Sequence, residues 1–275
     1  MQEVYMTGAI ASPRHKLAAA TPHAAADYPV EYARIPSNPL QMWGNSSYGT
    51  CVSAEEAFAK LDDGIVVTDA NLIAWARSHG YLNGAALTDV MDTMQTTGLP
   101  SVNQVYVDGP YHSVDWTNQD VLSSALYQGV VKIGVASRQL PQSETGWHLT
   151  SAKKDRNIDH CVALCGYGTA AFLYKALGQA VPSGIDPTQF GYLLFTWKSI
   201  GFITQSALNA ICGEAWLRVP TTPGVTPQPT PTPTPTPLPP PPTPVPLPDP
   251  TPAPIPINWA ALIQFILELL KGFQK

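Results

Sequence analysis

The chain has 275 residues, 29 of them proline, and a net charge of −5 at pH 7. Nineteen of the prolines fall between Pro220 and Pro256, which leaves about 219 residues of ordinary composition, enough for one compact domain or two small lobes around a cleft. The mild acidity excludes the clustered basic face of a nucleic-acid binder, and 13% charged beside 44% apolar residues suits a well-buried domain.

Residues 1–40, rich in Ala and Pro without a helical period, read as an extended N-terminal arm that wraps the domain. They begin MQEVYMTGAIASPRHKLAAATPH, with no basic region followed by an apolar run, so no secretory signal is expected. The run CVSAEEAFAKL has Val52, Ala54, Phe58 and Leu61 near helical spacing and starts right after Gly49 and Thr50. A second helix, capped by Thr68 or Asp69, is expected through His79 with Leu72, Trp75 and Ala76 on one face. A third is expected over 84–97, with Leu87, Val90, Met91 and Met94, ended by Gly98.

The period then changes. VNQVYVDG predicts a short strand and NQDVLSSALYQG a helix stopped at Gly129. VVKIGVA, HCVALCGYG and YLLFTWK are apolar or β-branched runs bounded by turn residues, and read as strands. ITQSALNAICG is helical again and EAWLRV a closing strand. A helical front and a strand-rich back predict an α+β domain of two lobes over 41–219.

From Pro220 proline removes N–H donors and fixes φ, so 220–256 is expected to be a polyproline II spacer of roughly 115 Å at about 3.1 Å per residue. Residues 257–275, with Asn258 as N-cap, predict an apolar helix. Its one narrow polar stripe (Gln264, Glu268, Lys271, Lys275) leaves a surface that must be buried in a homo-oligomer, a partner protein or a membrane surface. The segment is too short to span a bilayer and has little basic charge, which favours oligomer or partner over lipid.

The cysteines are Cys51, Cys161, Cys165 and Cys212. Their spacing fits no zinc pattern, and a domain of this size does not need staples, so free thiols are expected and no metal or other cofactor. Cys51 opens a helix, where the positive dipole end favours the reactive thiolate. His160 opens a strand, 109 positions away, and the two can meet only across a fold.

These blocks resemble the papain-like cysteine peptidases, and most closely a divergent phage and bacterial branch with the form G-N-x-x-x-G-x-C. GNSSYGTCVSAEEAFA resembles the nucleophile block, DHCVALCGYG the histidine block, YLLFTWKS the strand ending in Asn-Ser-Trp, and EAWLRV the final strand. The likeness covers about residues 40–219. It implies a papain-like two-lobed fold and a peptidase acting on peptide or protein substrates. Cys51 would be the nucleophile, His160 its proton partner, and Asn45 the oxyanion donor in place of the family's Gln. Where the family has an orienting Asn, this chain offers Thr196, which can accept a bond from imidazole, or Trp197, which can only donate; Thr196 is the expected orienter and Trp197 the site packing. The arm is shorter than the family's usual inhibitory prodomain, so regulation by cleavage is not implied. The default setting is cytoplasmic or virion-associated. Trp147 and His148, in a loop before His160, could line the cleft, although loop aromatics more often pack locally, and Asp62 and Asp63 are expected to be a solvated helix end. The missing Asn and Gln leave a second reading open: a papain-fold module without catalysis, used for binding or structure, its cleft plugged by the arm.

Overall fold

The computed structural model describes residues 5–102, 104–142 and 145–219; the spacer expected over 220–256 and the helix expected over 257–275 lie outside the described residues. The arm contributes β1 (Ala9–Ile10), α1 (Arg14–Ala19) and β2 (Tyr32–Ala33). The helical half contains α2 (Cys51–Asp62), α3 (Asp69–Ser78), β3 (Ala85–Ala86), α4 (Leu87–Thr96) and the small pair β4 (Leu99–Pro100) and β5 (Val105–Tyr106). The strand-rich half runs β6 (Tyr111–Ser113), α5 (Gln119–Gln128), β7 (Val131–Val135), β8 (His148–Leu149), β9 (His160–Thr169), α6 (Ala170–Ala176), β10 (Phe190–Thr196), β11 (Ser199–Thr204), α7 (Gln205–Ile211) and β12 (Cys212–Arg218).

Helix starts follow side-chain capping. The Thr68 hydroxyl accepts from the Asn71 N–H, and the Asn118 side chain accepts from Asp120 and Val121, satisfying donors that a first helical turn leaves open. One helix, α6, carries no strong sequence period; Thr169 caps it at the end of β9. The last helix starts later than the pattern suggests, because Ile203 and Thr204 still pair in β11. Asp62 is not a solvated helix end: its buried carboxylate accepts from Arg34 at 3.1 Å.

The main sheet has the order β6-β12-β7-β9-β10-β11-β8, with β2 also pairing β9. Only β8 in this sheet runs parallel to its neighbour. β9 is central and buried on both faces, which explains its unbroken apolar sequence. Cys161, Ala163 and Cys165 point to a core shared with α2, α3, α4 and α6. Val162 and Leu164 point to a second core with α5 and α7, as the alternation of a strand requires.

In the first core Phe58 of α2 stacks on Phe195 of β10, with centroids 4.1 Å apart and planes 7° from parallel. This contact ties the helix that begins at Cys51 to β10, the neighbour of the strand that begins at His160. Phe58 is fully buried. Phe58→Ala is expected to destabilise the fold by about 3–5 kcal/mol, read as a lower urea midpoint at unchanged slope.

Candidate active site

Cys51 is the first residue of α2, and the Thr50 hydroxyl donates to the Trp43 carbonyl instead of capping the helix. The open first turn therefore presents backbone N–H groups. The sulfur is buried, and the backbone N–H groups of Cys161, Gly8 and Val52 lie near it. Burial raises the thiol to about 11, against the opposing pull of those N–H groups and of the Lys132 charge. The Cys161 contact brings the sulfur beside the residue that follows His160.

His160 is buried at the first position of β9. Its Nε2 lies 2.8 Å from Thr196 Oγ1, and its ring is stacked on Trp197 with centroids 4.3 Å apart at 18°. Nδ1 is buried and has no hydrogen-bond partner among the described residues. Burial alone lowers the imidazole to about 3, so it is neutral here at pH 7. Because this value lies below that of an unfolded histidine, the native state binds fewer protons. Stability is therefore full above about pH 6.5 and is lost as the pH falls towards 3, at up to about 1.4 kcal/mol per unit. A melting temperature that falls between pH 6.5 and 4.5, and falls less in His160→Gln, is the expected readout.

The two residues over the imidazole come from one tight hairpin. Thr196 pairs with Ser199, so Trp197 and Lys198 alone turn the chain, with φ of 43° and 67°. A two-residue hairpin loop needs this left-handed geometry, which costs a non-glycine residue of order 1–3 kcal/mol. The loop is braced by the Ser199 hydroxyl, which donates to the Thr196 carbonyl, and by the Trp147 indole, which donates to Ser199 Oγ at 3.0 Å. Trp147 thus supports the site hairpin from behind, while His148 is exposed in β8.

Asn45 lies in the turn before α2, is 2% exposed, and its Oδ1 is buried without a hydrogen-bond partner among the described residues. The His160 Nδ1 and the Asn45 amide oxygen are two of the buried polar atoms that have no partner among the described residues, a state that functional sites tolerate.

A segment that sequence reasoning took for a wrapping arm lies across this site. Tyr5 meets Trp197 edge to face at 5.4 Å. The Met6 N–H donates to the Asn45 carbonyl at 3.0 Å, and the Trp197 indole donates to the Met6 carbonyl at 2.9 Å. Gly8 and Ala9 donate to the Asp159 carbonyl, Ala85 donates to the Gly8 carbonyl, and β1 continues parallel to β3. Ser12 N–H then donates to the Glu214 carboxylate at 2.9 Å. At the crossing the backbones touch: a Cβ on Gly8 would lie 2.2 Å from the Gly49 carbonyl oxygen, and one on Gly84 2.3 Å from the Gly8 oxygen. Residues 5–12 thus form a strap over the thiol, held as a bound extended peptide would be. The arm thus covers the site although it is shorter than a usual prodomain, as the second reading of the sequence expected of it. Among the described residues, no group of three His, Cys, Asp or Glu side chains can hold a metal ion.

No protein-family model and no curated protein matches the sequence. Solved structures do match its shape. Xylellain, a cysteine protease from Xylella fastidiosa, superposes over 81% of this chain and 99% of its own, at TM-score 0.54 and 12% identity. The ragweed pollen cysteine protease Amb a 11, in its proform, aligns over 76% of this chain and 74% of its own, at TM-score 0.55 and 10% identity. Procathepsin L2 from the larval midgut of Tenebrio molitor aligns over 77% and 73%, at TM-score 0.53 and 16% identity. The described chain has the papain-like fold of these cysteine proteases.

Proposed function

We propose that the chain is a cysteine-nucleophile amide hydrolase acting on extended peptides through Cys51 and His160, held covered by residues 5–12. The observation that carries this reading is the imidazole clamp: His160 bonded to Thr196 through Nε2, stacked on Trp197, with Nδ1 left free. With the Nε2 proton donated to Thr196, Nδ1 is the basic nitrogen, able to take the thiol proton once the strap has left. The Cys51 thiolate would attack the substrate carbonyl carbon and form a tetrahedral oxyanion, for which the N–H groups of the first turn of α2 and the Asn45 side chain are the available donors. Collapse breaks the C–N bond, His160 returns the proton to the leaving amine, and a thioester remains. Water then hydrolyses it to a carboxylic acid and the free thiol.

A covered cleft would also suit a module that no longer catalyses. Such a module has no use for an imidazole clamped at one nitrogen and bare at the other, or for a strained hairpin that sets the ring beneath a tryptophan.

The test is labelling of the full chain with an epoxide thiol trap, followed by mass spectrometry. The expected adduct is on Cys51, with Cys161, Cys165 and Cys212 untouched. Equal modification of all four overturns the reading. Thr196→Val keeps the shape but removes the acceptor for Nε2, and is expected to lower turnover of a peptide substrate about ten- to a hundredfold, since a lost buried hydrogen bond costs about 1–3 kcal/mol.

A further inference from the structure

Beneath the first turn of α2 lies a closed group of charges that the steps above do not use. Lys132, in the apolar run of β7, is fully buried. Its Nζ donates to the Val52 carbonyl at 2.9 Å and lies 2.7 Å from Glu55 Oε2 and 2.6 Å from Glu56 Oε1. Arg218 of β12 meets Glu55 at 2.6 Å and Glu56 at 3.4 Å, and Asp108 is shared between Arg218 and Lys60. Three carboxylates face three cations.

Most of this cluster can be explained as a neutral buried network. Two of the three ammonium donors face Glu55 and Glu56, and the third goes to the carbonyl of Val52, the residue next to the nucleophile. Lys132 also stands at a junction. β7 pairs with β9, with Lys132 opposite Ala163 and Gly134 opposite Cys161, so one side chain links the start of the Cys51 helix to the strand pair that carries His160.

We propose that Lys132 is a positioning residue for the nucleophile: through the Val52 carbonyl it fixes the first turn of α2 against β7 and β9 and holds its ammonium one residue along from Cys51. This rests on Cys51 being the nucleophile. The charge persists although burial opposes it, because Glu55 and Glu56 outweigh burial and hold the ammonium above its ordinary range. Removing a tether of this kind costs more than its hydrogen bond, since a small displacement of a reacting atom is expensive.

Lys132→Met alone would strand a carboxylate without its counter-charge. The informative variant is Lys132→Met/Glu56→Gln, which leaves two carboxylates facing two cations. The measurement is the iodoacetamide rate of Cys51 in the full chain as a function of pH, with a thermal melt alongside. In the double variant the midpoint of the rate–pH curve is expected to rise by about one unit, a roughly tenfold lower rate at neutral pH. Lys132→Arg, which keeps the charge, is expected to stay near the parental midpoint. Glu56→Gln alone keeps Lys132 on Val52 and removes a competing carboxylate, so its midpoint is expected to fall. A purely structural cluster would shift melting temperatures in all three and midpoints in none, and that result overturns the proposal. If the parent shows no preference for Cys51, the nucleophile assignment fails instead.

Discussion

Gly8→Val is expected to raise the iodoacetamide rate at Cys51 about 30- to 150-fold. A buried thiol reacts only from molecules whose cover has opened, so its rate follows the open fraction. The strap is held by backbone bonds from Met6, Gly8, Ala9 and Ser12 and by the Trp197 indole on the Met6 carbonyl, each worth about 1 kcal/mol net. Valine at position 8 would set Cβ 2.2 Å from the Gly49 carbonyl oxygen, and that neighbour is backbone and cannot swing aside. A loss of about 2–3 kcal/mol from the closed state is a reasonable cost for such a clash, and each 1.4 kcal/mol is tenfold in the opening equilibrium. Ile10, 57% exposed in the same segment, provides the control: Ile10→Ala is expected to label at the parental rate. Equal rates in parent and Gly8→Val would mean that the strap does not limit access.

The largest effect on chemistry is expected from the pair itself. Cys51→Ala removes the bond-forming atom, so peptide turnover falls to the uncatalysed level and no epoxide adduct forms. His160→Ala leaves the sulfur in place and removes proton transfer, a loss of about 10²- to 10⁴-fold. The double variant is expected to be no worse than Cys51→Ala, because the two groups act in one step and their losses do not add. Turnover by Cys51→Ala within tenfold of the parent would remove the nucleophile from this residue. Both changes remove buried side chains, so a melting curve must accompany each assay.

The covered state also explains the resting protonation. Burial raises the thiol to about 11 and lowers the imidazole to about 3, so under the strap both groups are neutral. Opening restores water to both and moves each towards its ordinary value, which favours the charged pair the reaction needs. On the proposed reading, opening of the strap is expected to change both access to the site and the charge state of Cys51 and His160.

Much of this was legible in the residues. The helix from Cys51, the cap at Thr68, the stop at Gly129 and the buried run from His160 follow from periodicity, capping and turn chemistry, which act over a few residues. Thr196 could be chosen over Trp197 because only one of them can accept a bond from imidazole, and the structure joins Thr196 Oγ1 to His160 Nε2. Even so, α6 and the upstream end of α7 were missed, because short segments at strand ends are decided by pairing and packing.

What the order of the amino acids determined by itself was the kind of fold and which side chains are candidates for reactive chemistry, since periodicity and functional groups are written locally. What only the tertiary structure decided was whether the site is open. Residues 5–12 cross a helix mouth and a strand end more than forty and a hundred positions away, and Lys132 reaches α2 from a strand eighty residues downstream. Such contacts depend on non-local packing, where three glycine backbones touch and one buried cation finds its partners, and no local pattern encodes them.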